Sequence, residues 1–314
     1  MVKKDLFVVG ELNVDLILNQ IANFPRIGTE ILAERMNLVL GSSSAIMAAN
    51  ASAMGLQTAF CGAVGADVFG DMVVDELQQK NIDCHFIKKS QVLQTGITVV
   101  MNYDQDRANV TYCGAMESLT MSDIPWGQVA NYKHFHLSNF FLQKGIKKDI
   151  SAIFKKAKSV GVTTSLDMQW DPEDQWDFNY KECLPYVDVF FPNESEILAL
   201  TSTISLDDAF SEVSPYANVV ALKLGETGSL GICSDEQTFV EAFKNPHFVD
   251  AIGAGDSFNA GFISRFILEK TLKDCLTVGN VMGALNTTAS GGTAAFADPW
   301  SIERKVKEIF NIVL

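Results

Sequence analysis

The sequence predicts an α/β fold: a mostly parallel central sheet covered by helices on both faces, with a small separate β-sheet added. Three observations carry this reading. Buried-type strands alternate with amphipathic helices along most of the chain. Two stretches without helical period interrupt that alternation. Near the C-terminal end, a glycine turn opens a long apolar helix.

The elements follow in chain order. "DLFVVG" is a short apolar run of the kind that forms a buried strand, and "TAFCGAVG" and "VTTSLDM" read alike. In "DVFGDMVVDELQQKN", Phe69, Met72, Val73 and Leu77 fall on one helical face. In "DISAIFKKAKSVG", Ile150, Ile153, Phe154 and Ala157 do the same, and Gly161 closes the helix. "KHFHLSN" alternates along a strand, so one of His134 and His136 is expected in the core, and a metal-binding pair is disfavoured. Strands joined by helical crossovers run parallel, and ligands then sit at their carboxyl ends. "GTEILAERMNLVLG" and "GITVVMNYDQDRANVTYC" carry no helical period, and the second reads as two strands around the turn "DQDR". These β pieces, at about 12–40 and 95–114, predict an accessory sheet covering a site.

At 314 residues the chain suits one α/β domain with an elaboration, so a single domain is expected over 1–314. Its 24 basic against 38 acidic side chains give −14, a field that repels nucleic acid and anionic membrane. The same field repels anionic substrates, so a phosphate site needs local donors or a metal. Six scattered cysteines with no C-x-x-C pair read as reduced thiols, which disfavours a zinc site. The N-terminal apolar stretch is too short for a signal peptide, and a soluble cytoplasmic protein is expected.

The chemistry concentrates in "FVDAIGAGDSFNAGFISRFILEK", which reads strand, glycine turn, helix. Phe258, Phe262, Ile263, Phe266 and Ile267 give the helix a buried face. Gly253, Ala254 and Gly255 leave the first-turn N–H groups uncovered, and with the helix dipole these form an anion site. A carboxylate beside such a site costs energy, unless Asp256 takes a proton from a hydroxyl about to attack a phosphoryl group. Asp256 as a helix cap is the alternative. No G-x-x-x-x-G-K-[ST] and no clean G-x-G-x-x-G after a strand are present, which weighs against a P-loop ATPase and a dinucleotide oxidoreductase.

"DAIGAGDSFNAGF" resembles the C-terminal signature of the ribokinase-like (PfkB) family of carbohydrate and nucleoside kinases. "VVGELNVD" resembles that family's opening strand and "GSSSAIMAANASAMG" its substrate-side helix. "GAVGADVFGD", "PNESE" and "LKLGETGSLG" resemble further family elements in family order, so the likeness covers essentially the whole chain. The resemblance implies a ribokinase-like three-layer α/β/α fold with a β lid that often forms a dimer contact. It implies ATP and Mg2+ as cofactors, a sugar or sugar derivative as partner, and K+ or another monovalent cation near Asp250. Asp256 would be the general base, with the Gly253, Ala254 and Gly255 backbone holding the transferring group. Asn193 and Glu196 would orient Mg2+ through its bound water. Lys223, Gly225 and Gly228 would line the nucleotide cleft, with Asn280 near the adenine. Asn13, Asp15, Gly41, Ser42 and Asn139 would face the acceptor.

Each position also has a plainer reading. Asn193 and Glu196 could only start a helix after Pro192, and Gly225 and Gly228 could only serve a turn. Trp170 and Trp176 could pack within the fold or offer a sugar platform. The chain also departs from the family pattern. Ala251 stands where threonine or serine is usual, and Ser42 replaces the second glycine of a pair. Ser43 and Ile46 stand where the resemblance expects lysine and asparagine, which implies a different or less polar acceptor than ribose. Where some relatives carry D-x-N-x-R, this chain reads Asp167, Met168, Gln169, Trp170, Asp171. The expected function is an ATP-dependent sugar kinase, with a nucleoside kinase or a non-catalytic sugar- and nucleotide-binding regulator as alternatives.

Overall fold

A computed structural model describes residues 3–103, 106–234 and 236–313. Its strands are β1 (Lys4–Val9), β2 (Asn13–Ile21), β3 (Ala33–Leu40), β4 (Thr58–Gly65), β5 (Asp83–Ser90), β6 (Gly96–Tyr103), β7 (Asp106–Tyr112), β8 (Tyr132–Ser138), β9 (Thr163–Asp167), β10 (Val189–Phe190), β11 (Val219–Lys223), β12 (Gly228–Cys233) and β13 (Glu236–Glu241). The helices that matter here are α1 (Ser43–Ala53), α2 (Val68–Gln79), α3 (Ile150–Ser159), α4 (Glu194–Thr201), α5 (Leu206–Val213), α6 (Ala254–Phe266), α7 (Leu272–Asn286) and α8 (Ile302–Phe310).

Nine strands form the main sheet in the order β13-β12-β11-β10-β9-β8-β1-β4-β5. From β11 through β5 neighbours run parallel, and only the β11-β12-β13 edge is antiparallel. The central strands explain why. β4 is buried at every position and β1 at its last four, so neither face can stay open to water. Two apolar clusters cover the two faces. One gathers Phe135, Phe154, Ile153 and Phe190 with α3, and the other gathers Phe60, Met47, Phe258 and Phe262 with α1 and α6.

Four strands form the separate sheet, in the order β3-β2-β6-β7. β3, β6 and β7 come from the two stretches that broke the helical rhythm, and β2 precedes the first of them. The expected turn "DQDR" includes Asp104 and Gln105, which lie outside the described residues. Cross-strand register gives this sheet two chemically different faces. Leu38, Leu16, Val99 and Val110 form one row across all four strands, and Met36, Leu18, Met101 and Ala108 the next. The opposite face carries Asp15, Thr98 and Thr111 in register, with Asn109 and Arg107 further along β7.

His134 and His136 are both fully buried, where one had been expected. Both rings reach the same hydroxyl, Ser165 Oγ, at 2.7 Å, so β9 supplies the polar partner that makes a second core histidine tolerable.

Candidate active site

The carboxyl ends of β1, β8, β9 and β11 converge with the N-termini of α1 and α6. Gly253 opens α6 in the left-handed conformation, φ 76°. A Cβ there would meet Gly292 Cα at 2.7 Å and Ile46 Cγ2 at 3.0 Å, so the turn accepts only glycine. The N–H of Ala254 bonds the Ala251 carbonyl at 3.2 Å. Among the described residues the N–H groups of Gly255 and Asp256 stay available as first-turn donors.

Asp256 does not cap the helix. Its carboxylate is buried and accepts a 3.3 Å bond from Gln169 Nε2. Burial, with the Asp167 charge, pushes its pKa well above the usual carboxylate range, against the pull of Lys223 and Arg107. A carboxylate raised that way is a stronger proton acceptor than an ordinary one.

Beneath the turn lies a buried ion pair. Lys223 Nζ stands 2.7 Å from Asp167 Oδ2, and Asp167 is wholly buried. Asn259 Nδ2 donates to the same oxygen at 2.5 Å and Gln169 Nε2 at 3.1 Å. Burial works against the Lys223 charge, but Asp167, Glu196 and Asp256 together hold its pKa above the ordinary value. A Cβ built on Gly255 would lie 3.7 Å from Lys223 Nζ, so the ammonium sits just under the anion turn.

On the acceptor side, Asn13 Nδ2 donates to Asp15 Oδ1 at 2.8 Å and to Thr98 Oγ1 at 3.1 Å, joining β2 to β6. Gly41 makes room for this pair, because a Cβ there would meet Asn13 Nδ2 at 2.6 Å and collide with Asp15 Oδ1. Ser42 starts α1, its Oγ accepting from Ala45 N at 2.9 Å and donating to the Glu11 carbonyl at 2.7 Å. Ser43 Oγ reaches Glu11 Oε1 at 3.2 Å and Ser138 Oγ at 2.8 Å, and Asn139 Nδ2 reaches Glu11 Oε1 at 3.3 Å. Burial raises the Glu11 pKa against the hydrogen bonds from Ser44 and Asn139.

Burial also pushes Asp15 up to about 6, against the Asn13 bond. An acid raised on folding contributes stability that is fully present below its ordinary pKa of 3.8 and is lost as pH rises through about 6. The Asp15→Asn variant is therefore expected to lose less thermal stability than the parent between pH 4 and pH 6. Melting curves across that range would show it, and parallel pH profiles would remove Asp15 from the account.

On the nucleotide side, Asn193 and Glu196 form a capping box at the start of α4. Asn193 Oδ1 accepts from Glu196 N at 2.9 Å, and Glu196 Oε2 accepts from Asn193 N at 2.8 Å. The helix-start reading of that pair therefore describes the geometry. Burial pushes Glu196 up to about 7 against the pull of Lys223. Gly225 and Gly228 bound the β11–β12 turn, both at positive φ. Both oxygens of Asp250 accept backbone bonds, from Ile252 N at 3.0 Å and Gly291 N at 3.1 Å.

Two expected site residues also have partners within the fold. Ile46, which stands where the resemblance expects asparagine, is buried with its branches against Gly253 and Gly292, behind the turn that opens α6. Asn280, placed near an adenine, donates to the Val240 and Glu241 carbonyls at 2.9 and 3.1 Å and ties α7 to β13.

Asp167, Gln169, Asn259 and Glu11 were missed. Asp167 carried a usable signal: a carboxylate closing a buried strand lies where α/β folds place ligands. No group of three His, Cys, Asp or Glu side chains among the described residues could cage a metal. A hydrated Mg2+ carried by a triphosphate needs no such cage and fits one buried carboxylate beside an ammonium.

Fold and site together suit a phosphotransferase: a buried carboxylate, a glycine turn with available N–H donors and a lysine ammonium meet at the carboxyl edge of a parallel sheet. Residues 3–299 match the family model described as pfkB family carbohydrate kinase, and the chain belongs to that family. It is 27% identical over 293 residues to the ATP-dependent ribose-1-phosphate kinase of Halopiger xanaduensis, covering 91% of this chain and 93% of that one. Arabidopsis thaliana ribokinase complexed with ribose and ATP superposes with a TM-score of 0.84 at 24% identity, covering 97% of this chain and 99% of that one. An E. coli chain assigned as ribokinase II, in complex with ATP and Mg2+, gives 0.83 at 22%, covering 97% and 99%. At that identity the structural likeness speaks for the fold. The family match makes this chain a carbohydrate kinase, an enzyme that phosphorylates a sugar hydroxyl.

Proposed function

We propose that the chain transfers the γ-phosphoryl group of ATP in line to a hydroxyl of a sugar or sugar derivative, with Asp256 as the base. One observation carries this reading: a buried carboxylate of raised pKa in the first turn of α6, beside first-turn N–H donors and within the electrostatic reach of Lys223 and Arg107. ATP supplies the phosphoryl group, and Mg2+ neutralises its charge when bound. Asn13 and Asp15 hold the acceptor by its hydroxyls, with Gly41, Ser42, Ser43 and Asn139 around them. Asp256 accepts the attacking hydroxyl's proton. The N–H groups of the Gly253–Gly255 turn and the Lys223 ammonium offset charge on the transferring group. Gly225, Gly228 and Lys223 line the nucleotide side, with Asn193 and Glu196 positioned to orient hydrated Mg2+. A monovalent cation beside Asp250 belongs to the same proposal.

The second sheet acts as the lid, excluding water over the acceptor. Its face toward the site presents Asp15, Thr98, Thr111, Asn109 and Arg107, which suits a polyhydroxylated acceptor better than a nucleoside base. Its other face exposes Met36, Leu38, Val110 and Tyr112 at 36% or more, an apolar surface that supports a homodimer through the lid. Sedimentation at micromolar concentration is expected to give twice the 34.4 kDa chain mass, and Val110→Glu to halve it. ATP use and an acidic chain fit a cytoplasmic setting.

The test of function is ADP release with Mg2+ and ATP against pentoses, hexoses, ketoses, sugar acids, sugar phosphates and nucleosides. Turnover on one sugar or sugar derivative is the expected result. Turnover confined to nucleosides would overturn the acceptor class. Nucleotide binding with no turnover on any member would favour the regulator.

A further inference from the structure

The stretch "DMQWDPEDQW" bears Gln169, which leaves β9 with φ 60°, in the left-handed region that a glutamine seldom enters. Such a conformation costs roughly 1–2 kcal/mol and persists where the surroundings impose it. Its effect here is to aim the side chain back across the strand end. Nε2 then donates to two carboxylates on different elements, Asp167 Oδ2 at 3.1 Å and Asp256 Oδ1 at 3.3 Å. It is the bond to the Asp256 carboxylate that the geometry shows from a neutral side chain, and the residue is only half-buried. Asp171, where some relatives carry arginine, instead ties the following loop by accepting from the backbone of Glu173, Gln175 and Trp176.

We propose that Gln169 is a positioning residue for the base: its carboxamide bridges Asp167 and Asp256 and holds the Asp256 carboxylate aimed at the acceptor hydroxyl. This rests on Asp256 being the base. With no acceptor bound, the amide occupies one lone pair of Oδ1 and leaves the rest of the carboxylate open. The charged groups acting on Asp256 come from four elements: Asp167 on β9, Lys223 on β11, Glu11 after β1 and Arg107 on β7. Gln169 adds a neutral donor to that field, and a donor to a carboxylate favours its ionised form.

The experiment uses the full chain with ATP, Mg2+ and the acceptor that turns over. Gln169→Leu removes both donors at similar volume, and Gln169→Glu keeps the shape but adds a charge. Gln169→Asn keeps an amide that tolerates the left-handed backbone but is one methylene too short to span both carboxylates. All three are expected to lower kcat roughly tenfold to a hundredfold with the KM for ATP unchanged. In Gln169→Leu and Gln169→Glu the acid limb of kcat/KM should move to higher pH, further for glutamate, because the ionised base loses a donor and then gains a like charge. A variant that merely unfolds would lose amplitude without moving that limb.

Wild-type kcat and an unmoved limb in all three, with Asp256→Asn inactive, would overturn the role of Gln169 and leave the base standing. Wild-type kcat in Gln169→Asn alone would assign the effect to the backbone and likewise overturn it. Full turnover in Asp256→Asn would remove the base itself, and this proposal with it.

Discussion

Asp256→Asn is expected to lower kcat by about three orders of magnitude while nucleotide binding stays near the parent value. The substitution keeps shape and volume, so the first turn of α6 retains its donors. What it removes is a proton acceptor whose pKa burial and Asp167 hold well above the ordinary carboxylate range. A neutral amide cannot accept the hydroxyl proton, and no other carboxylate occupies that point: Asp167 is committed to Lys223, Asn259 and Gln169. Single-turnover measurements with saturating ATP and acceptor separate this loss from slow product release. A kcat within threefold of the parent would mean that Asp256 is not the base.

Lys223→Leu is expected to cost stability and activity together. Its ammonium is the cation bonded to Asp167, and it also acts on Asp256 and Glu196. Removing one partner of a buried pair costs roughly 3–5 kcal/mol because the remaining charge is left uncompensated. For a chain of this size that corresponds to a melting point lower by on the order of 10 °C. Lacking the cation, Asp256 and Glu196 should rise further in pKa, so activity near neutrality falls as well. The double variant Lys223→Leu, Asp167→Leu is the informative companion. It should regain much of the stability, since no buried charge is stranded, and stay inactive. A Lys223→Leu protein that melts with the parent would show the pair to be better solvated than its burial indicates.

The sequence made much of the architecture readable, for a physical reason. Strands buried on both faces leave uninterrupted apolar runs, as in β1 and β4, and helices such as α3 leave a period. The glycine turn was legible because Gly253 and Gly255 stand where any side chain would cover the donors. Contacts made across the sheet were not legible. Nothing local in "VTTSLDM" says that Lys223, 56 residues on, will pair with Asp167, or that Asn259 will bond it from α6. The packing of Ile46 was hidden for the same reason, because its contact with Gly253 and Gly292 joins α1 to segments more than 200 residues on. Gln169 was invisible because its role depends on a backbone conformation, φ 60°, that composition does not encode.

The two histidines under the site share a single hydroxyl, and that hydroxyl has one proton. Ser165 can donate to one ring and must accept from the other, so the tautomers of His134 and His136 are not independent but flip, if at all, as one directional wire from Thr163 inward. Burial keeps both rings neutral, His134 well below its ordinary pKa and His136 down to about 4. The remaining two of the four histidines, His85 and His247, lie outside the site on the exposed surface. A break in the rate profile between pH 6 and pH 7, measured with an acceptor that does not itself titrate, is therefore expected from Asp15 or Glu196, the carboxylic acids that burial pushes up to about 6 and about 7, and not from the buried imidazoles.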